Sequence, residues 1–334
     1  MEFNHNHPLK NLNTFGISAN AENFANFNSI EELKKLLENA KQPIMILGGG
    51  SNILLTQNIQ GSILKNEIFG IDVIEEDNKS ITVKVGGGVV WHDFVLWSLE
   101  RNLGGIENLS LIPGSVGAAP MQNIGAYGCE IKSVFKQLEA VNIESKELKI
   151  FKNKDCQFGY RTSIFKTQLK NKFVICNVTF KLNKHPVFNT SYGAIEDELK
   201  EKGEITSLKS ISQAVINIRS RKLPDPNVIG NSGSFFKNPT ISNIEFQSLK
   251  KDFPLIVGYP NGDNETKVAA GWLIEQAGWK GFRDGDAGVH KNQALVLVNY
   301  GNANGKDILN LAKKIQNSVA QKFGIKLIPE VNIL

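Results

Sequence analysis

IPGSVGAAPMQNIGAYGCE (residues 112–130) contains one charged residue, Glu130, and no clean two- or 3.6-residue period. Glycine and proline recur through it, so it reads as neither a regular helix nor a strand. An uncharged loop of this length marks either a ligand-binding segment or a buried crossover between domains. In the ligand reading, backbone wraps a flat, partly apolar group while Gln122, Asn123 and Tyr127 supply polar contacts. A second glycine cluster stands upstream. LGGGSNILL (47–55) follows the apolar strand pattern PIMIL. Consecutive N–H groups in such a turn can cradle a pyrophosphate, with Ser51 and Asn52 adding hydrogen-bonding groups. The alternative is a tight turn between strands. No GK[ST] follows, so it is not a Walker A loop, and the third glycine and the helix of a dinucleotide fingerprint are missing. Two glycine-rich loops in one half of the chain point to one elongated cofactor.

Outward from these loops the pattern alternates. Ser29 followed by EELKKLLENA predicts an N-capped helix with acids in its first turn. SILK (62–65) and ITVKVGGG (81–88) read as strands, and WHDFVLWSLERN (91–102) as a helix ending before Gly104. Residues 133–182 read as a run of strands, with VICNVTFKL alternating as if one face were buried. Residues 194–222 read as helical, stopped by the prolines of KLPDP (222–226), which mark a domain boundary. Beyond it, residues 227–319 form another mixed unit: a helix at VAAGWLIEQAG (268–278), a strand at ALVLVN (294–299) and a helix at DILNLAKKIQNSVAQKFG (307–324). KLIPEVNIL ends the chain as a short strand.

Composition narrows the classes. At 334 residues, with 41% hydrophobic and 21% charged, the chain has enough material for two or three domains and is not disordered. No apolar stretch reaches membrane-spanning length, and MEFNHNHPLK lacks a signal-peptide core. Cys129, Cys156 and Cys176 cannot all pair and none sits in a CxxC, so the expectation is a reduced, cytoplasmic protein without a metal site. The net charge of +5 comes from lysines scattered among acids, not from a basic stripe, which argues against a nucleic-acid binder.

Four further motifs invite chemistry. FGYRTSIFK (158–166) sets Tyr160 and Arg161 in an otherwise small and apolar run, where an arginine needs an anionic partner: a carboxylate substrate or a structural acid. GNSGSFFKNP (230–239) places Ser232 and Ser234 among glycines, as a proton donor or a helix cap. HKNQALVLVN (290–299) puts Gln293 just before a strand, and IPEV (328–331) puts Glu330 in an apolar terminal strand, where it is either ion-paired or functional.

Taken together and in this order, NTFGI (13–17), LGGGSNILL, ENLSLIPGSVGAAPMQNIGAYG (107–128), FGYRTSIFK, KLPDP with GNSGSFFKNP, KVAAGWLIEQAG (267–278), HKNQALVLVN and PEV (329–331) resemble the MurB family of UDP-N-acetylenolpyruvoylglucosamine reductases of peptidoglycan synthesis. The resemblance spans nearly the whole chain. It implies an α+β fold: two FAD-binding subdomains of the vanillyl-alcohol-oxidase (PCMH) type at 1–66 and 67–222, the second completed by 320–334, and a third, α/β substrate-binding domain at 223–319. It implies FAD and NADPH as cofactors, a small-molecule substrate, no nucleic-acid or membrane partner, and a monomer.

The implied cofactor contacts are Gly48, Gly49, Gly50, Ser51 and Asn52 on the pyrophosphate side, with Pro113, Gly114, Ser115, Gly117, Gln122, Asn123, Ile124, Gly125, Ala126 and Tyr127. The implied reaction is two hydride transfers, from NADPH to the flavin and from flavin N5 to the β-carbon of an enolpyruvyl ether. By motif match Arg161 and Glu330 polarise the substrate carboxylate, for which Glu330 must carry or share a proton, and Ser234 protonates the α-carbon. Tyr192 in NTSYGAIED (189–197) marks the first of the family's two types and contacts the UDP part, while Tyr160, Lys222, Asn238 and Gln293 are the other substrate contacts. Two positions depart from the family pattern: Gly49 replaces an acidic residue and Asn332 an arginine. Rival readings are another flavin oxidase of the same fold and a non-catalytic nucleotide-binding module; the latter leaves Arg161, Ser234 and Glu330 unexplained.

Overall fold

A computed structural model describes residues 2–191 and 194–334. The chain divides into two compact units. One comprises residues 1–7, 21–49 and 60–219, and the other residues 8–20, 50–59 and 220–334.

In the first unit the strands Asn4–Pro8, Asn20–Phe27, Ile59–Asn66 and Ile44–Leu47 form one sheet in that spatial order, the last pair parallel. The helix Ile30–Asn39 buries Leu33, Leu36 and Leu37, and the Ser29 side chain accepts from the Glu32 amide, as its sequence foretells. A five-stranded antiparallel sheet runs in the order Leu148–Lys152, Phe135–Asn142, Phe173–Asn183, Ser80–Gly86, Ile71–Glu76.

The central strand Phe173–Asn183 departs from the one-sided reading of its alternation. It is buried on both faces over most of its length. Val174 and Cys176 join the core under the helix Ile30–Asn39, while Ile175, Val178, Phe180 and Leu182 join the aromatic core around Trp91 and Phe94. The pairing register slips at this point, since Glu139 faces Asn177 but Ala140 faces Ile175. The extra residue, Cys176, is a bulge that exchanges the faces of the strand. Burial pushes the Cys156 and Cys176 thiols up to about 12, so both are inert packing groups.

In the second unit the strands Gly230–Ser234, Val296–Asn299, Ala287–Val289 and Arg283–Asp284 form an antiparallel sheet, and Thr240–Ser242, Glu265–Val268 and Gly258–Asn261 a smaller one. The NTFGI motif docks here. Thr14 accepts from the Asn231 amide at 2.9 Å, Phe15 accepts from Asn299 Nδ2 at 2.9 Å, and Gly230 lies so close to the Phe15 carbonyl that any Cβ would collide with it. The helix Gly305–Phe323 opens with a capping box: Asn304 Oδ1 accepts from the Lys306 and Asp307 amides, and Asp307 accepts from the Asn304 amide. Asn304→Ala is expected to cost about 1 kcal/mol, read as a lower urea midpoint at unchanged slope.

Among the described residues no helix is long and apolar enough to cross a membrane. Several lysines pair with neighbouring acids, as in Lys84–Glu139 at 2.8 Å and Lys136–Glu75 at 2.7 Å.

Candidate active site

The glycine turn after the strand Ile44–Leu47 leads into no helix; the next element is the two-residue strand Ile53–Leu54. A Cβ on Gly48 would stand 2.5 Å from Ser115 Oγ, and one on Gly49 3.0 Å from Gly114 Cα. Only glycine lets this turn and the start of the long uncharged loop approach so closely. Among the described residues the backbone N–H groups of Gly48, Gly49, Gly50, Ser51, Gly114 and Ser115 donate to no protein acceptor. Unspoken-for amides in two glycine turns suit the oxygens of a pyrophosphate.

The long loop is a chain of tight turns. A 3₁₀ turn covers Val116–Gln122, where Gly117 donates to the Gly87 carbonyl at 2.9 Å. Gly125–Ala126 then pairs with Cys129–Glu130 in a hairpin whose two central residues, Tyr127 and Gly128, have φ of +48° and +76°. Pro113 is exposed, Ala126 and Tyr127 are half-buried, and Ile124 packs inward.

The Tyr160–Arg161 segment is stitched along this loop. Ser163 Oγ donates to the Met121 carbonyl at 2.7 Å, Lys166 Nζ to Gln122 Oε1 at 2.9 Å, and Arg161 Nη2 to the Gly125 carbonyl. Arg161 itself has a φ of +51°, a strained value for a side chain of this size. Asn123 is fully buried. Its amide donates to Glu130 Oε2 at 3.0 Å and to the Gly159 carbonyl at 3.2 Å, and its Oδ1 accepts from the Lys132 amide. The Asn123 side chain therefore serves as scaffold for both loops instead of reaching a ligand.

Arg219, near the end of the helix Leu208–Lys222, escapes a sequence reading. Its Nε is buried without a partner among the described residues. Burial lowers its pKa, with the nearby Tyr127 opposing and the positive Arg161 adding to the effect. Two guanidinium groups within electrostatic reach of one another call for an anion or a strong acceptor. No periodicity signals this, because IRSRK reads as an ordinary basic helix end.

The second unit holds Ser234 and Glu330. In the pairing with Val296–Asn299, Asn231 faces Val298 and Ser234 faces Val296, so two residues bulge opposite Leu297. Gly233, at φ +70°, makes the turn, and Asn231 Oδ1 holds its amide at 3.0 Å. The bulge leaves Ser234 exposed, while Phe235 and Phe236 anchor the strand in the core. The terminal segment runs alongside: the Glu330 amide donates to the Phe235 carbonyl at 2.8 Å and Lys237 to Ile328 at 2.9 Å. Asn332–Ile333 pairs in parallel with Ile53–Leu54, and Asn52 Nδ2 reaches the Glu330 carbonyl at 3.4 Å. The structure thus brings Ser234, Glu330 and Asn52 together. Asn332 is accounted for here, since its Nδ2 donates to the Asn52 carbonyl at 2.9 Å.

Asn238 and Gln293 meet at the start of the helix Ala270–Gln276. Asn238 Oδ1 accepts from the Ala270 amide at 3.0 Å, and Gln293 Oε1 lies 3.2 Å from where a Gly271 Cβ would stand. Gln293 Oε1 also accepts from the Leu295 amide at 3.3 Å, so with both oxygens engaged each NH₂ group is left as a donor among the described residues. Lys222 is exposed at its helix end. Tyr192 lies outside the described residues.

Residues 225–334 match the model of the C-terminal domain of UDP-N-acetylenolpyruvoylglucosamine reductase, and residues 22–149 that of an FAD-binding domain. UDP-N-acetylenolpyruvoylglucosamine reductase of Flavobacterium johnsoniae is 53% identical over 100% of both chains, and that of Amoebophilus asiaticus 48% over 100% of both. The Pseudomonas aeruginosa enzyme of the same name is 44% identical over 97% of each. The chain belongs to the UDP-N-acetylenolpyruvoylglucosamine reductase family. Its fold is shared with the crystal structure of the Thermus caldophilus enzyme, at a TM-score of 0.71 and 23% identity over 100% of this chain and 99% of that one. Membership makes it an FAD- and NADPH-dependent oxidoreductase of α+β architecture. The paired glycine turns fit the cofactor on their own physical terms, through their free amides and close backbone approach.

Proposed function

We propose that Arg161, Ser234 and Glu330 carry the reaction of this flavoenzyme, the NADPH-dependent reduction of UDP-N-acetylglucosamine enolpyruvate to UDP-N-acetylmuramate in peptidoglycan synthesis. Bound FAD supplies hydride at its N5 position, replenished from NADPH. The chain's own residues must hold the charge and move the proton. Hydride arriving at the β-carbon leaves negative charge on the α-carbon and carboxylate. Arg161, fixed by its bond to the Gly125 carbonyl, meets that charge. Glu330, set by its backbone bond to Phe235, polarises the same carboxylate. Ser234 delivers a proton to the α-carbon, which only a strongly basic, enolate-like centre can draw from a serine.

The observation that carries this reading is Ser234 itself. A bulge and a positive-φ glycine present its hydroxyl at the surface, without a partner among the described residues, one residue from the carbonyl that seats Glu330. The glycine turn at 48–52 and the loop residues Pro113–Ser115, Gly117, Gln122 and Ile124–Tyr127 form the FAD cradle, with Asn123 behind it. Tyr160, Tyr192, Lys222 and the NH₂ groups of Asn238 and Gln293 bind the UDP-sugar. On this reading residues 1–66 and 67–222, with 320–334, are flavin subdomains and 223–319 bind substrate, in a cytoplasmic monomer.

The visible spectrum tests it. The protein should be yellow, bleach with NADPH without air, and regain colour on adding the enolpyruvyl UDP-sugar. Recovery only with oxygen would favour the oxidase reading, and failure to take up FAD would remove the proposal altogether.

Arg219 gives a further expectation. Its buried Nε costs stability until an acceptor arrives. Arg219→Met should therefore raise the melting temperature of the flavin-free protein while weakening FAD binding about tenfold or more. Thermal melts with and without FAD read both effects.

A further inference from the structure

Asn108 sits in the 3₁₀ turn Glu107–Leu109 and is fully buried. Its amide has two N–H groups and spends both on different segments of chain. One goes to the Tyr127 carbonyl at 3.1 Å and the other to the Asn189 carbonyl at 2.8 Å. The contact is returned, since Asn189 Nδ2 reaches the Gly128 carbonyl at 3.4 Å and Cys129 Sγ at 3.7 Å. The tip of the 125–130 hairpin is thereby stapled to the stretch between the strand Phe173–Asn183 and the helix Ile195–Lys202.

Past Lys184, the described residues of that stretch add one hydrogen bond to the following helix, from Thr190 Oγ1 to Glu196 Oε1 at 3.3 Å. Among the described residues, 185–191 make no backbone–backbone hydrogen bond, and Val187 is almost fully exposed. Apart from the Ser191 hydroxyl on its own Oδ1 at 3.4 Å, Asn189 is held by the Asn108 amide and the two reciprocal contacts. The hairpin tip is the more constrained partner, because Tyr127 and Gly128 both hold positive φ. Asn108 also bears a cost: its Oδ1 is buried with no donor among the described residues. A leucine of similar shape would leave no such orphan, so packing alone does not account for an amide at this position.

We propose that Asn108 is a positioning residue that couples the cofactor loop to substrate binding, by holding the Tyr127 carbonyl and the carbonyl three residues before Tyr192 on one amide group. The inference rests on the assignment of 112–127 to the flavin and of Tyr192 to the UDP-sugar. Ordering the hairpin against the flavin then sets the root of the substrate segment, and the effect is reciprocal.

The test uses the holoenzyme. Asn108→Leu should raise the KM for the enolpyruvyl UDP-sugar about tenfold, within the range of ordinary site–site coupling. The rate of flavin reduction by NADPH should stay within about twofold of the unaltered enzyme, as expected where only coupling is lost. Amide hydrogen exchange over 185–191 should quicken in the same variant. If flavin is lost and reduction slows in parallel with KM, Asn108 is merely part of the cradle and the proposal is overturned. Unchanged KM and unchanged exchange overturn it as well. Should Asn108→Leu not fold, Asn189→Ala removes the reciprocal contacts from a half-buried position and is read by the same three measurements. An unaltered protein that never bleaches, or never regains colour with the sugar, fails the parent assignment instead. The exchange arm then still decides whether Asn108 orders residues 185–191.

Discussion

Ser234→Ala should keep its flavin and its reduction by NADPH, and lose turnover of the enolpyruvyl substrate by about 10²- to 10⁴-fold, the range for removal of a general acid. In free energy that is roughly 3–5 kcal/mol at the transition state. The split follows from where the serine stands. Its hydroxyl carries no hydrogen bond of the fold among the described residues, and the strand is held by Phe235, Phe236 and the Asn231 amide contacts. Loss of one exposed hydroxyl therefore costs little stability. The first half-reaction moves hydride onto the cofactor and needs no proton from this side chain. The second cannot finish without one. Stopped-flow absorbance separates the two. Rapid bleaching with NADPH followed by very slow return of colour with substrate is the expected record. A variant that reoxidises at the normal rate would show that the proton comes from elsewhere.

The parts of this molecule that were legible in the sequence are those set by local chemistry. Ser29 announces its helix because a hydroxyl three residues before Glu32 is a cap whatever surrounds it. The three long strands at 135–183 announce themselves through their apolar content. What stayed hidden depends on distant partners. The strands Asn4–Pro8 and Asn20–Phe27 went unread because NHNHP and NAENFANF are polar and asparagine-rich, and only pairing with a neighbour makes them strands. The double-sided burial of Phe173–Asn183 depends on a bulge that its own alternation conceals. Asn123 illustrates the limit at the site. Its place in a glycine-rich loop suggests a ligand contact, yet its amide is consumed by Glu130, Gly159 and Lys132, which lie 7 to 36 residues away. Arg219 is the converse case, an ordinary basic residue by sequence whose orphaned Nε becomes informative only after folding.

The glycine clusters show why motif and mechanism are separate questions. Three consecutive glycines at 48–50 suggest flexibility or ligand approach, and part of the answer is backbone packing. A Cβ at Gly50 would run into the Leu12 carbonyl, and Gly50 holds a φ of +63°. The departure at Gly49 fits the same picture. The residue is exposed, yet its Cβ direction points at Gly114. A longer side chain there must leave along the outer edge of the turn, and glycine keeps that edge open.

Gly117→Val is expected to abolish flavin binding through packing alone. A Cβ at this position would lie 3.0 Å from both Gly87 Cα and the Gly87 carbonyl oxygen, and 3.2 Å from the Ile175 carbonyl. All three neighbours are backbone. Gly87 is itself pinned, since it donates to the Cys176 carbonyl at 2.7 Å and accepts from Gly117 at 2.9 Å. Neither side can yield by rotating a side chain. Relief requires the 3₁₀ turn Val116–Gln122 to move off the sheet, which breaks its bond to Gly87 and carries Ser115 away from the Gly48 turn. Overpacking of this kind costs about 1–3 kcal/mol, occasionally more, and the β-branched side chain adds the largest bulk where the space is smallest. The turn contributes Val116 and Ala119 to the aromatic core, while Trp91, Phe94, Phe135 and Phe180 keep one another, so the variant should remain folded, with a melting temperature lowered by several degrees. The cradle does depend on the turn position, because two glycine turns that no longer face each other cannot present their amides to one pyrophosphate. The purified variant should be colourless and take up added FAD at least about 100-fold more weakly, a difference of roughly 2.7 kcal/mol. Gly117→Ala, with a single methyl against the same three atoms, should fall between the two. A yellow Gly117→Val protein with normal affinity would show that the flavin does not rest on the apposition of these turns.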